Sequence, residues 1–169
     1  MKIVTKFVLL VLIMFAGFCA DFHTKRWVRN SFSKDEAVLI EGYAEIAYSE
    51  NRGMVFGLLN RSNSALRNRL LIGANLISMG LFIYLIWKLR FLQFMVHLPF
   101  FMILSGAAGN VIDRIRFGHV VDFIHIHWQD KLNWPYLFNV ADIIICTGGF
   151  ILILVMVFRK NIITKEIKA

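Results

Sequence analysis

Four long apolar runs, separated by more polar segments, form the main pattern of this sequence. They cover residues 7–20, 70–87, 91–108 and 140–158, and the last three contain no Lys, Arg or Glu and a single Asp. A helix needs about 20 apolar residues to cross the hydrocarbon core of a membrane. The pattern predicts one membrane domain over residues 1–169, with spans at about 5–22, 69–88, 91–109 and 140–158 and outer segments at about 23–68 and 110–139.

The first run is shorter than the others and has two possible interpretations. A basic start followed by an apolar stretch that reaches Cys19 is similar to a secretory signal with a lipoprotein cleavage box. Phe18 directly precedes that cysteine, where the cleavage pocket requires a small residue. Extending the run from Ile3 to Trp27 gives enough length for a membrane helix, so we favour a retained span.

Two segments between the spans have the composition of strands. Residues 37–49 are rich in β-branched and aromatic side chains, and residues 116–127 alternate in hydrophobicity. A short hairpin-like element at the membrane surface follows from the first of these segments. The predicted fold class is an all-α membrane protein with a small β element.

Composition and charge add an orientation to this picture. The chain is 58% hydrophobic and 18% charged, unlike a typical soluble domain, and its net charge is +8. In a membrane protein such an excess marks the cytoplasmic flanks of the spans rather than a nucleic-acid partner. Basic residues concentrate on the chain ends and one short connection, with Glu166 as the acid among them: Lys2, Lys6, Lys88, Arg90, Arg159, Lys160, Lys165 and Lys168. We therefore predict cytoplasmic termini, outward-facing longer segments and no nucleic-acid binding.

Asp142 is the acidic residue inside the last apolar run. It should lie about one turn inside the outer edge of the fourth span, where ionisable groups are costly and usually functional. The alternative is a capping acid, which the positive end of the helix dipole would favour. Asn139 is already a good N-cap residue, so we favour a functional role for Asp142.

Asp122 stands in a largely apolar stretch of the second outer segment. Two carboxylates brought together at a membrane boundary would share a proton, so that one could take a proton from water while the other donates one. Such a pair can hydrolyse an amide without a covalent intermediate. An isolated aspartate beside Val121 and Phe123 could instead accept backbone hydrogen bonds, and a spacing of 20 residues to Asp142 proves no contact.

Asn110, Asp113 and Arg114 close the third apolar run. Asp113 and Arg114 could form a simple interfacial ion pair, which contributes little when hydrated. The same residues could also form a buried, hydrogen-bonded support around a site, because the fixed donors of arginine match carboxylates. Spacing alone leaves the two interpretations even.

Taken in order, these segments resemble the lipoprotein signal peptidases, also called the signal peptidase II family. The resemblance covers nearly the whole chain, and its strength lies in the order and spacing of the pieces between four spans. The matching pieces are Asp21-x-x-Thr24-Lys25, Asn51-x-Gly53-x-x-Phe56, Gly109-Asn110-x-x-Asp113-Arg114, Val121-Asp122-Phe123 and Phe138-Asn139-x-Ala141-Asp142.

The resemblance implies an intramembrane aspartic endopeptidase of the bacterial plasma membrane. Such an enzyme removes the signal peptide from prolipoproteins by cutting on the N-terminal side of a cysteine that carries diacylglycerol. Asp122 and Asp142 match the catalytic pair, and Asp21 and Lys25 match a structural charged pair. Positions that bind substrate or support the catalytic pair are matched by Asn51, Gly53, Asn110, Asp113, Arg114 and Asn139.

Further expectations follow from the same resemblance. The fold should pair the four helices with a small extracytoplasmic β-cradle, and the active site should lie near the outer face of the membrane. Membrane lipids and globomycin-type cyclic peptide inhibitors are expected partners, without cofactor or metal, and we expect a monomer. Two positions depart from the family pattern, since Phe22 stands where Gln is usual and Val55 where Ala is usual.

Two alternatives stay open at this stage. His119, His125 and His127 lie near Asp122, but the His-Glu-x-x-His spacing of zinc peptidases does not occur, so we favour interfacial polar histidines over metal ligands. A non-enzymatic four-span scaffold or transporter subunit, with Asp142 lining a polar path, is the second functional hypothesis.

Overall fold

The computed structural model describes residues 2–32, 37–40, 43–53, 64–128, 132–133 and 136–158. Four helices in these ranges are long and apolar enough to cross a membrane, as the apolar pattern predicts. They are α1 (Ile3–Ser31), α2 (Ser64–Lys88), α3 (Phe94–Phe117) and α4 (Val140–Phe158). Val55 and the charged residues within 159–169, which entered the sequence predictions, lie outside the described ranges.

Two helices end later than the apolar runs predict. α1 continues past residue 22 to Ser31, and α3 begins at Phe94 and continues past residue 109 to Phe117. Polar residues extend a helix readily until a stop signal is reached. For α3 that signal is Gly118, which adopts a left-handed conformation with φ of 78° and donates its N–H to the Arg114 carbonyl. The polar ends of both helices therefore project beyond the apolar bundle.

α3 is the central helix of the bundle and contacts α1, α2 and α4. Its most apolar stretch has a mean hydropathy of 1.6, the lowest of the four helices, and is the most buried. Small residues let the neighbouring helices approach closely. A Cβ atom at Gly106 would collide with the carbonyl oxygen of Ala141, and one at Gly148 would lie 3.0 Å from the Pro99 carbonyl oxygen.

A four-stranded antiparallel sheet lies at one end of the bundle. Its strands follow the order β1 (Ala37–Ile40), β2 (Ala44–Asn51), β3 (Val120–Trp128) and β4 (Leu132–Asn133). Both strand predictions are confirmed, and the hairpin expected over residues 37–49 is the β1–β2 pair. Because β2 also pairs with β3, the two outer segments form one sheet.

The residues just before α4 pair with β3, which places this strand beside the start of α4. Ser49 lies opposite Asp122, and a bulge interrupts the β2–β3 ladder between Ile46 and Ser49. Val28, Ile46 and Phe123 form a small apolar core between α1 and the sheet. Phe138, just before α4, exchanges backbone hydrogen bonds with Ile124 at 2.8 and 3.0 Å. Asp122 is therefore held beside the first turn of α4.

Candidate active site

Polar side chains from five separate elements meet where the sheet contacts the helices. α1 contributes Asp21 and Lys25, and β2 contributes Asn51 at its last position. α3 contributes Asn110 and Asp113, β3 contributes Asp122, and the start of α4 contributes Asn139 and Asp142. The carboxylates of Asp122 and Asp142, 20 positions apart in the sequence, thus share one polar cluster.

The Asp122 carboxylate is almost fully buried, with 2% of the residue exposed. Its Oδ1 accepts a hydrogen bond from Asn139 Nδ2 at 2.6 Å, and its Oδ2 accepts one from Asn51 Nδ2 at 2.8 Å. Burial disfavours the charged form and raises the pKa of Asp122 to about 6. The amide of Asn51 opposes that rise in pKa, and the nearby charge of Asp142 adds to it. Asp122 can consequently hold a proton in a pH range where a surface aspartate cannot.

Asp142 takes part in the cap of α4 and also faces the cluster. Its Oδ2 accepts the Asn139 N–H at 3.1 Å while Asn139 Oδ1 accepts the Asp142 N–H at 3.0 Å, a reciprocal capping box. Its Oδ1 accepts a hydrogen bond from Asn110 Nδ2 at 3.0 Å. Capping and a functional role, the two alternatives for Asp142, are compatible, because the carboxylate has two oxygens and only one of them completes the cap.

Asn139 connects the two carboxylates. Its side-chain amide donates to Asp122, and its backbone N–H and side-chain oxygen bind Asp142. The same amide nitrogen lies 3.3 Å from both the Val121 carbonyl oxygen and Asn110 Oδ1. Asn139 is fully buried, so its orientation is set by these partners rather than by water.

A buried ionic cluster supports the carboxylate pair from the side of α1. Lys25 Nζ lies 2.8 Å from Asp21 Oδ2 and 3.1 Å from Asp113 Oδ2, and it donates to Asn110 Oδ1 at 2.9 Å. Asp21 Oδ1 accepts the N–H of Ala141 at 2.8 Å, and Asp113 Oδ2 accepts the N–H of Val121 at 3.2 Å. The cluster therefore fixes the backbone beside each proposed catalytic residue.

Asp113 forms an ion pair with Lys25, and no ion pair joins it to Arg114 within the described residues, unlike in one of the two interpretations of the sequence. The Arg114 guanidinium lies 3.4 Å from the Asn110 carbonyl oxygen and within electrostatic reach of Asp122, Asp142 and Asp113. This geometry corresponds to the other interpretation, a buried support around a site. Adjacent residues on a helix point about 100° apart, which explains why the sequence neighbours bind different partners.

Gly53 orients the side chain of Asn51. Its N–H donates to Asn51 Oδ1 at 2.8 Å, which leaves Asn51 Nδ2 free to bind Asp122. The φ of Gly53 is 83°, a conformation that other residues rarely adopt, and a Cβ there would collide with Leu71 Cδ1. The asparagine and the glycine thus act as one turn that aims an amide at Asp122.

Comparison with known proteins identifies the family of this chain. A family model described as signal peptidase (SPase) II matches residues 13–158. The chain belongs to the signal peptidase II family. The lipoprotein signal peptidase of Syntrophus aciditrophicus is 34% identical over 142 residues, which cover 83% of this chain and 87% of the relative. That of Solibacter usitatus is 36% identical over 148 residues, covering 85% and 87%.

The fold is also similar to that of a bacterial membrane enzyme solved by the in meso method. The TM-score is 0.70 with 22% sequence identity, over 90% of this chain and 88% of that enzyme. As a member of the signal peptidase II family, the chain is an aspartic-type peptidase and a multi-pass membrane protein. The alternative of a non-enzymatic scaffold or transporter subunit is therefore wrong.

Two contacts of the signal peptidase II cluster were not assigned from sequence. The backbone N–H of Ala141 binds Asp21, and Gly109 makes room for that carboxylate, since a Cβ there would collide with Asp21 Oδ2. Both residues stand within the quoted family motifs, which was the available signal. Ala141 acts through its backbone N–H and Gly109 through its lack of a Cβ, so the residue type alone does not indicate either role.

The histidines near Asp122 have other partners. His125 Nδ1 lies 2.6 Å from Glu45 Oε1 across the β2–β3 ladder, and His119 Nδ1 lies 3.8 Å from Glu50 Oε2. The side chain of His127 is not described. Within the described ranges no three His, Cys, Asp or Glu residues are grouped so that they could hold a metal ion.

Proposed function

We propose that this member of the family removes the signal peptide from lipidated prolipoproteins, using Asp122 and Asp142 as its catalytic pair. Cleavage is on the N-terminal side of the diacylglyceryl-cysteine. The relatives with which the chain aligns over most of its length are named lipoprotein signal peptidases. The observation that carries the catalytic assignment is the link through Asn139, which binds both carboxylates.

Hydrolysis needs one carboxylate and one carboxylic acid. The carboxylate takes a proton from a water molecule as the water oxygen attacks the scissile carbonyl carbon, and the acid donates its proton to the carbonyl oxygen. The resulting tetrahedral diol collapses, the C–N bond breaks, and the amine of the lipidated cysteine leaves with a proton returned by the pair. The products are a signal peptide with a free carboxylate and a lipoprotein with a free N-terminal amine.

The surrounding amides hold the pair in place for this chemistry. Asn51, Asn110 and Asn139 each donate a hydrogen bond to one of the two carboxylates. The two aspartates act as a coupled unit, and we leave the roles of base and acid interchangeable. Asp21, Lys25 and Asp113 are positioning residues that act through Asn110 and the backbone.

The position of the cluster suits a lipid-anchored substrate. It lies where the polar end of the helical bundle meets the sheet, the depth at which a scissile bond next to a membrane-anchored cysteine would lie. We extend the proposal to a plasma-membrane location with both termini in the cytoplasm and the active site near the outer face. A single domain that works as a monomer, and inhibition by globomycin-type cyclic peptides, belong to the same proposal.

The decisive experiment measures cleavage of a synthetic diacylglyceryl-modified prolipoprotein by purified variants. Asp122→Asn and Asp142→Asn should each lower the rate about 10²- to 10⁴-fold, because either change removes a proton-transfer group. Both proteins should remain in the membrane and unfold cooperatively. Glu50→Gln, an acid-to-amide change at a half-exposed position of β2, is the matched control and should retain wild-type turnover. Normal cleavage by either aspartate variant would contradict the proposal.

A second prediction concerns the lipid on the substrate. If the lipid tails bring the scissile bond to the depth of the carboxylates, an unlipidated precursor of the same sequence should be cut far more slowly. The comparison is made with both peptides in the same detergent micelles. Equal rates would show that the diacylglyceryl group does not position the substrate.

A further inference from the structure

A cavity of about 350 Å³ opens between α1 and α3 near the ends where both helices become polar. Clefts of roughly 300–1,000 Å³ are the usual size of small-ligand sites. The proposed catalytic aspartates do not line this cavity, and the buried ion pair of Lys25 and Asp113 forms part of its wall. It is therefore a separate feature beside the proposed active site.

The charge of the cavity is strongly positive. Arg26, Arg29 and Arg116 all line it, and no ion pair joins any of them to a carboxylate within the part of the chain that the structure describes. The acid in the wall, Asp113, is already engaged by Lys25. Like charges at one cavity repel each other unless an anion lies between them. Arginine guanidinium groups match the oxygens of a phosphate with two parallel hydrogen bonds.

Aromatic rings hold two of these guanidinium groups at the cavity. Arg29 Cζ lies 4.3 Å from the centre of the Phe117 ring, and Arg116 Cζ lies 5.2 Å from the same ring and 5.8 Å from that of Phe22. Cation–π attraction stabilises a cation beside a ring without neutralising its charge. Both arginines are thus positioned in the free protein and keep the capacity to bind an anion.

The membrane side of the cavity is apolar. Phe22 lines the cavity and stacks on Phe18, one turn further along α1 towards the apolar run, with ring centres 6.2 Å apart. Trp27, half exposed on the same helix, is the kind of side chain that anchors at a membrane interface. A free phosphate would use only the arginines, whereas a phospholipid would also cover the two phenylalanine rings.

We propose that this cavity binds the headgroup phosphate of an anionic glycerophospholipid between Arg29 and Arg116, with an acyl chain along Phe22 and Phe18. Arg26 adds to the positive potential that selects an anionic over a zwitterionic headgroup. In the membrane, the bound lipid would occupy the groove between α1 and α3. This inference goes beyond the peptidase activity and does not depend on which residues perform catalysis.

The test is lipid binding by the full chain in detergent, followed by native mass spectrometry. Phosphatidylglycerol and phosphatidylcholine with identical acyl chains are titrated separately, and inorganic phosphate is titrated against the apparent melting temperature. The variant is Arg29→Gln/Arg116→Gln. Its matched control is Arg67→Gln/Arg69→Gln, which removes the same charge from the equivalent end of α2, away from the cavity.

The wild type should bind phosphatidylglycerol at least about tenfold more tightly than phosphatidylcholine. Arg29→Gln/Arg116→Gln should lose about tenfold or more of that affinity, and the control should stay within about twofold of wild type. Equal affinity for the two lipids, or equal loss in the two double variants, would overturn the proposal. Inorganic phosphate that binds as tightly as the lipid would overturn the lipid assignment. The lipid comparison uses wild-type protein alone, so it decides the question even if the double variant fails to fold.

Discussion

At the scale of single residues, the site is defined by how each carboxylate is bound. Asp122 has two amide donors and almost no contact with water, whereas Asp142 divides its oxygens between a helix cap and Asn110. Two chemically identical side chains therefore have different sets of hydrogen-bond donors. In the proposed chemistry, the amide groups therefore position both acids.

The pH dependence of cleavage should report on Asp122. In the proposed mechanism the pair needs one proton, and burial raises the pKa of Asp122 to about 6, so kcat/KM should fall as the pH rises through that region. Asn51 lowers this pKa by donating to the charged form. Asn51→Ala should consequently move the fall in kcat/KM to higher pH, in addition to any loss of rate.

The control for this prediction is Asn75→Ala on α2, where the side-chain amide donates to the Leu71 carbonyl oxygen. That variant should keep the wild-type pH profile. A profile that is unmoved, or moved to lower pH, in Asn51→Ala would mean that Asp122 does not supply the titrating group.

Buried and exposed ion pairs should differ sharply in their contribution to stability. Lys25→Met leaves the buried carboxylates of Asp21 and Asp113 without a cation, which should lower the free energy of unfolding by about 3–5 kcal/mol. Arg52→Met breaks an exposed pair with Glu50 and should lower it by less than about 1 kcal/mol. Thermal unfolding in one detergent measures both, and similar losses would contradict the assigned role of Lys25.

At the scale of helices and strands, the site depends on close approach. Ala141 N–H can reach Asp21 because α4 packs directly on α3 and α1, where glycines leave no side chain in the way. The β2–β3 register pairs Ser49 with Asp122 and Asn51 with Val120, so Asn51 is the diagonal neighbour of Asp122 and its amide can reach the carboxylate. The packing of the backbone thus determines which of these hydrogen bonds can form.

Alanine substitutions at two glycines test this dependence. A Cβ at Gly106 would collide with the Ala141 carbonyl oxygen, so Gly106→Ala should cost about 1–3 kcal/mol of stability and lower cleavage by displacing the start of α4. Gly149→Ala meets no atom within 4 Å and should be neutral or slightly stabilising. Thermal unfolding and cleavage assays compare them, and equal effects would show that the α3–α4 contact is not tight.

At the scale of the whole molecule, orientation decides which compartment the sheet and the candidate site face. The predicted cytoplasmic termini give a direct test by reporter fusion. A fluorescent reporter after residue 169 should fold and emit, because that end is predicted to face the cytoplasm. Alkaline phosphatase fused after Asn133 should be active, because β4 would lie outside. Phosphatase that is active after residue 169 and inactive after Asn133 would show the opposite orientation.

The sequence by itself determined the membrane architecture and the candidate residues. Four apolar runs predicted the four helices, and alternation predicted the strands, because both signals depend only on neighbouring positions. With only 11 acidic residues in the chain, an aspartate inside an apolar run was conspicuous. Local chemistry indicates Asp122 and Asp142, and the resemblance of the ordered motifs indicates Asn51.

Only the tertiary structure decided which of these residues bind one another. Asp113 forms its ion pair with Lys25 and not with its sequence neighbour Arg114. The Asp142 carboxylate binds both the helix cap and Asn110, and three arginines line one cavity. Hydropathy and spacing cannot specify such contacts, because they join residues up to 120 positions apart. The distances between them are set by helix approach and strand register, which depend on how the whole chain packs.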